Sequence, residues 1–269
     1  MTLDEAIDIL TKAGIDSASH DAEELFYEIA GFGRSTMYLM YRVESDYPKL
    51  IEAVERRAKH EPLQYIIGKA YFYREKYKVT PDCLIPRFDT EILVDYAVKN
   101  LKDGASFIDL CTGSGCIAVS VLANTKNTRA IATDISEETL TLAAENAEYN
   151  EVRDRIKFVK SDVMNEVTDG EFDAVLCNPP YVTDKAYTEL SPEIYYEPKR
   201  AFVGGIDGGD FYRHITPIYK EKIKNGGFIA YEIGYDQAEL LRSIAAECGM
   251  SCEIIKDYSS NDRVAILRK

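Results

Sequence analysis

A chain of 269 residues with 46% hydrophobic and 29% charged residues can bury one large core and a small second one, so two domains are expected. Its formal charge of −14 argues against broad contact with a phosphate backbone, because nucleic-acid binders carry a basic face. Asp4, Glu5 and Asp8 near the start are wrong for a secretory or mitochondrial leader, and no apolar run approaches membrane-spanning length, so a cytoplasmic protein with no membrane partner is expected.

In chain order, Thr2 and Glu5 form a capping box ahead of Leu3, Ala6, Ile7 and Leu10, whose spacing puts one apolar stripe on a helix. Asp21 and Glu24 repeat that signature before Ala22, Leu25, Phe26 and Ile29, with Gly31 where the helix should stop. Asp46 and Pro48 open another, carrying Leu50, Ile51, Val54 and Ala58 on one side. A helical domain over 1–65 follows. Tyr71 to Val79 alternates aromatic and charged residues between Gly68 and Pro81, which predicts a β-hairpin linker over 66–86.

The remainder, 87–269, alternates helix with strand. A helix over Leu93 to Leu101 precedes strands at 106–110, 129–133, 156–160, 172–177 and 227–232, and helix-length spacers between strands make a parallel sheet. Strands at 252–257 and 263–267 are too close for a crossover helix and should pair antiparallel. The expected fold is therefore α/β, a mainly parallel seven-stranded sheet with one antiparallel strand and helices on both faces. Cys83, Cys111, Cys116, Cys177, Cys248 and Cys252 lack close paired spacing, which suits reduced thiols. With three scattered histidines, no metal site is expected.

The first chemical signal is the glycine loop that ends the 106–110 strand, Asp109-Leu-Cys111-Thr112-Gly113-Ser114-Gly115. Glycines at a strand-to-helix turn let the backbone approach a ligand. Gly113-x-Gly115-x-x-Ala118 with Asp134 nineteen residues past Gly115 also satisfies a permissive dinucleotide fingerprint, so a ribose-bearing cofactor is implied without being chosen. Asp109 argues for S-adenosylmethionine over NAD, because an acid before the loop opposes a pyrophosphate and tolerates a sulfonium and an ammonium. Asp109 is otherwise a loop-capping carboxylate. Asp162, after the third strand, is placed to accept from an adenine amino group with Val163 flanking the ring, or else caps a turn.

The second signal is Asn178-Pro179-Pro180-Tyr181 at the end of the 172–177 strand. The nitrogen of an amide or an exocyclic amine is a poor nucleophile, since its lone pair is delocalised. The Asn178 side-chain oxygen and the Pro179 carbonyl can each accept one of its N–H groups and aim it at a methyl donor. The two prolines stiffen the backbone and remove competing donors, and Tyr181 offers a stacking face. Elsewhere in a sheet the same four residues would be a strand terminator.

Glu61 to Gly68, Phe72, Leu84 to Glu91, the glycine loop, Asn178 to Tyr181, Glu197-Pro198, Gly204 to Gly208, Phe211 to Arg213, Glu232 to Gly234 and Asp262 to Val264 closely resemble the HemK/PrmC family of release-factor N(5)-glutamine methyltransferases. Phe88 stands where that family usually has proline, and Asp89 where it often has glutamate. The resemblance covers essentially the whole chain and implies a class I methyltransferase fold using S-adenosyl-L-methionine, with a helical front domain that binds a class I peptide-chain release factor. It implies cofactor contacts from Cys111, Thr112, Gly113, Ser114, Gly115, Asp134, Asp162, Val163 and Asn178. Asn178 to Tyr181 would be the catalytic and substrate-binding residues that hold the glutamine of a Gly-Gly-Gln loop, and Pro86 with Arg87 would line the cofactor entrance. A monomer is expected. An N6-adenine or N2-guanine nucleic-acid methyltransferase shares the four-residue motif, and a nucleotide-holding binding module without catalysis shares the glycine loop. The long connection Val182 to Gly209 is expected to clamp substrate, though its tyrosines suit core cover as well.

Overall fold

The computed structural model describes residues 1–31, 33, 47–165 and 168–269. The chain divides into two compact units. One is Met1–Lys69 together with Ser191–Tyr196, and the other is Ala70–Leu190 with Glu197–Lys269.

In the first unit, helix α1 (Leu3–Lys12) carries the capping box, with Glu5 N–H donating to the Thr2 hydroxyl and Thr2 N–H donating to the Glu5 carboxylate. Helix α2 (Ala18–Ala30) starts earlier than Asp21 and Glu24 suggest: Ser17 is its N-cap, and Asp21 lies inside the first turn. The reason is tertiary. Asp21 is buried and accepts from Arg57 Nε at 2.6 Å, so its carboxylate answers a buried guanidinium instead of the helix end. Gly31 ends the helix in the left-handed conformation. Pro48 sits in the first turn of α3 (Pro48–Ala58), while Asp46 lies outside the described residues. A short α4 (Leu63–Ile67) stops at left-handed Gly68. Leu3, Ala6, Leu10, Leu25, Phe26, Leu50 and Val54 form the core of these helices. Ser191–Tyr196 joins them through Arg57 Nη2 to Glu193 (2.6 Å) and the Tyr196 hydroxyl to Lys59 O (2.7 Å).

Strands β1 (Lys69–Phe72) and β2 (Glu75–Lys78) make the hairpin. The second unit then runs α5 (Glu91–Asn100), β3 (Ser106–Leu110), α6 (Cys116–Ala123), β4 (Arg129–Asp134), α7 (Glu137–Tyr149), β5 (Ile156–Lys160), β6 (Phe172–Cys177), α8 (Asp184–Tyr187), α9 (Asp210–Lys220), β7 (Ile223–Glu232), α10 (Ala238–Glu247), β8 (Ser251–Lys256) and β9 (Asp262–Arg268). The seven-stranded sheet is ordered β5-β4-β3-β6-β7-β9-β8, parallel except for β9, which pairs antiparallel with both β7 and β8.

Side-chain alternation divides the core between the two faces of the sheet. Phe107, Ala132, Ala174, Leu176 and Ala230 pack with Leu93 and Ala97 of α5 and Ile117 and Val121 of α6. Ile108, Leu110, Val175, Cys177 and Tyr231 pack with Tyr212 and Ile215 of α9 and Leu241 and Ile244 of α10. Strand β7 begins at Ile223, four residues before the expected start at 227, because Ile223 already pairs with Phe172 ahead of a bulge.

Candidate active site

The order β4-β3-β6 puts the sheet's change of direction beside β3, where ligands of open α/β sheets bind outside the carboxyl ends of the strands. Four strand ends converge there. Cys111 follows β3, Asp134 ends β4, Asp162 follows β5 and Asn178 follows β6. All four line one cavity of about 190 Å³, together with Gly113, Ile135, Val163, Pro180, Pro198, Arg200 and Phe211. Asp82, Cys83 and Leu84 close another side.

The glycine loop turns through three left-handed residues, Cys111 (φ 58°), Gly113 (φ 55°) and Gly115 (φ 81°). Gly113 N–H donates to Asp134 Oδ2 and Ser136 N–H to Asp134 Oδ1, each at 3.0 Å, so one carboxylate ties loop to strand end. Burial pushes the Asp134 carboxyl up, against these N–H groups, which pull it down. The carboxylate keeps acceptor capacity for an incoming hydroxyl. Asp109 is fully buried below the loop, accepting from Thr112 Oγ1 (2.6 Å) and Ala118 N–H (3.2 Å), and burial pushes its carboxyl up to about 7. It braces the loop and does not line the cavity. Thr112 and Ser114 also turn inward, and Gly115 packs on α7, where a Cβ would stand 3.1 Å from Ala143 Cβ. Asp162 serves its own turn and also reaches the cavity. It lines the cavity and caps its own turn, accepting from Met164 N–H at 3.0 Å and Asn165 Nδ2 at 2.6 Å.

At the other end, Asn178 and Pro180 line the cavity, Pro179 is buried beside them, and the Tyr181 hydroxyl donates to Glu232 Oε1 at 3.1 Å. Asn178 Nδ2 donates to Thr90 Oγ1 at 3.3 Å, and Thr90 donates to Glu232 Oε2. Burial pushes the Glu232 carboxyl up, while the hydroxyls of Thr90 and Tyr181 pull it down. Arg87 pairs with Glu197, whose other oxygen accepts from Ile85 N–H at 2.9 Å, so the expected entrance residues Pro86 and Arg87 are not part of the wall. Val182 bridges in parallel to Val203, which seats Gly204 directly against Pro180 and Tyr181.

Thr90, Leu84, Phe211 and Glu232 lie within segments that carry the family resemblance, but nothing in the sequence assigned them these places. Asp82, Ile135 and Arg200 gave no signal at all.

The wall fits S-adenosyl-L-methionine. A Cβ at Gly113 would project into open space at the cavity wall, so the missing side chain leaves room for a ligand. Three carboxylates (Asp82, Asp134, Asp162) against one guanidinium (Arg200) favour a ligand bearing positive charge, and Ile135, Val163 and Phe211 supply apolar cover.

Comparison with known proteins places the chain in a family. The family model for the PrmC N-terminal domain matches residues 2–68, and that for the Methyltransferase small domain matches residues 88–202. A release factor glutamine methyltransferase of Thermodesulfovibrio yellowstonii is 37% identical, with 99% of this chain and 98% of that protein covered. One from Fusobacterium nucleatum is 34% identical, covering 98% of this chain and 77% of the relative. The crystal structure of a methyltransferase from Pyrococcus furiosus superposes with a TM-score of 0.53 at 22% identity, over 71% of this chain and 86% of that one, and so shares the fold. The chain belongs to the release factor glutamine methyltransferase family and is a class I methyltransferase with S-adenosyl-L-methionine as its cofactor.

Proposed function

We propose that this chain transfers the methyl group of S-adenosyl-L-methionine to the side-chain amide nitrogen of the glutamine in the Gly-Gly-Gln motif of class I peptide-chain release factors, in the cytoplasm, as a monomer. The observation that carries the reading is the Asn178 carboxamide at the end of β6. It lines the same cavity as Asp134 and Asp162 and donates from its NH2 to Thr90, which orients the amide and leaves Oδ1 as an acceptor. The cofactor supplies an activated methyl group on a sulfonium. Asn178 Oδ1 and the Pro179 carbonyl would each accept one N–H of the glutamine amide, turning its remaining electron density toward that methyl. A neutral acceptor suffices, because the methylated amide sheds its proton readily. The helical unit would supply release-factor recognition, a role supported by its match to the PrmC N-terminal domain. Among the described residues no helix is long and apolar enough to cross a membrane.

Radiolabelled cofactor offered with release factor, DNA and RNA in parallel tests the reading. Label is expected on a release-factor glutamine, and label on nucleic acid alone would refute it. Asn178→Ala should leave cofactor affinity within about threefold while transfer falls by roughly a hundredfold or more. Equal loss of both would make Asn178 a structural residue.

A further inference from the structure

Asn178, Thr90 and Glu232 come from three separate parts of the second unit and meet in one chain of hydrogen bonds. A hydroxyl owns one proton. Thr90 gives its proton to Glu232 Oε2, so its oxygen has lone pairs left and no donor. The group of Asn178 that faces Thr90 must therefore be the NH2, and the carboxamide cannot turn over without setting Oδ1 against an oxygen. Glu232 is held in the accepting role from its other side, since Tyr181 donates to Oε1 at 3.1 Å. Arg263, which also pairs with Asp257 and Asp89, adds a favourable positive charge nearby.

We infer that Thr90 and Glu232 are positioning residues for methyl transfer: the Glu232 carboxylate polarises the Thr90 hydroxyl, which locks the Asn178 carboxamide with Oδ1 toward the substrate nitrogen. A reversed carboxamide would oppose N–H donors to the N–H donors of the glutamine amide, lose that hydrogen bond and misdirect the nucleophile. The four-residue motif is thus one part of a longer device that includes the turn before α5 and the last residue of β7. The inference rests on the reading of Asn178 as the acceptor in glutamine methylation.

The test uses the full chain, purified release factor and radiolabelled S-adenosyl-L-methionine, with cofactor binding measured separately by calorimetry. Thr90→Val removes the hydroxyl at constant shape and should lower kcat about a hundredfold, with the KM for release factor and the cofactor Kd within about threefold. Thr90→Ser keeps the hydroxyl and should return kcat to within about threefold of the parent. In an Asn178→Ala background, Thr90→Val should change kcat by less than about threefold, because the two residues act as one unit. Parent-like turnover in Thr90→Val, equal losses in the Val and Ser variants, additive losses in the double variant, or cofactor binding lost in step with turnover would each overturn the inference. A parent enzyme that labels no release factor would overturn both the functional reading and this inference. A labelling parent with an unimpaired Thr90→Val variant would overturn the inference alone.

Discussion

Gly204→Ala tests whether the backbone of the Asn178–Tyr181 segment must be placed accurately. Gly204 is not among the glycines with positive φ, so alanine can adopt its backbone conformation without strain, and the whole effect comes from collision. A Cβ there would stand 2.9 Å from both Pro180 C and Tyr181 Cα, and closer still to Pro180 O. Non-bonded carbons are comfortable at about 3.5 Å, so the two segments must part by at least roughly 0.6 Å, and the oxygen raises that toward 1 Å. They cannot part freely. Val182 N–H donates to Phe202 O at 2.7 Å and Gly204 N–H to Val182 O at 2.9 Å, so strain passes into the motif. Overpacking of this kind costs about 1–3 kcal/mol, or several degrees in Tm for a chain of this size. A misplacement near 1 Å in a group that orients a reactant costs about a hundredfold in rate. Steady-state methylation of release factor and calorimetric cofactor titration should therefore show kcat down by that order, with cofactor affinity within about threefold. A Gly204→Ala enzyme with lowered Tm but kcat within about threefold of the parent would refute the reasoning, since the strain would then have gone elsewhere.

Asp134→Ala takes the acceptor from Gly113 and Ser136 N–H and, if Asp134 holds the cofactor hydroxyls as proposed, from the cofactor, so the cofactor Kd should rise at least about tenfold and an unchanged Kd by calorimetry would exclude the role. Asp109 gives a pH signature. Its folded carboxyl titrates at about 7 because of burial, against about 3.9 for an unfolded aspartate, so the folded chain holds the extra proton between these values. Stability from this group is complete below the unfolded value and is lost as pH rises through the folded one. Urea midpoints from pH 5 to 8 should fall more steeply for the parent than for Asp109→Asn, and parallel curves would show that Asp109 does not titrate there.

Elements whose cause is local were legible in the sequence. The Thr2–Glu5 box, Gly31 and the apolar runs of β3, β4 and β6 owe their form to neighbours a few residues away. Asp21 misled because its pattern was local and its partner, Arg57, is not. Helix-length spacing was expected between all the parallel strands, but between β5 and β6 the described residues hold a turn that Asp162 caps, with no helix. At the site, Gly113, Asp134 and Asn178 were legible from their places at or just after strand ends. Thr90 and Glu232 did not, because a threonine and a glutamate 142 positions apart gain meaning when the sheet and the turn before α5 bring them to one hydrogen bond. Gly204 stood in a segment that carries the family resemblance, but its close approach to Pro180 and Tyr181 could not be read from either segment alone.

The union of Ser191–Tyr196 with the front helices bears on how such an enzyme can be divided. A six-residue excursion from the middle of the catalytic chain is anchored by Arg57 and by the carbonyl of Lys59. Scission after Lys69 therefore cannot yield two self-contained halves: it orphans a stretch encoded more than a hundred codons downstream, immediately before Glu197. A cut at that seam leaves the front helices dependent on a segment carried by the other fragment, and a front portion taken from a cousin would meet Ser191–Tyr196 of this chain in place of its own.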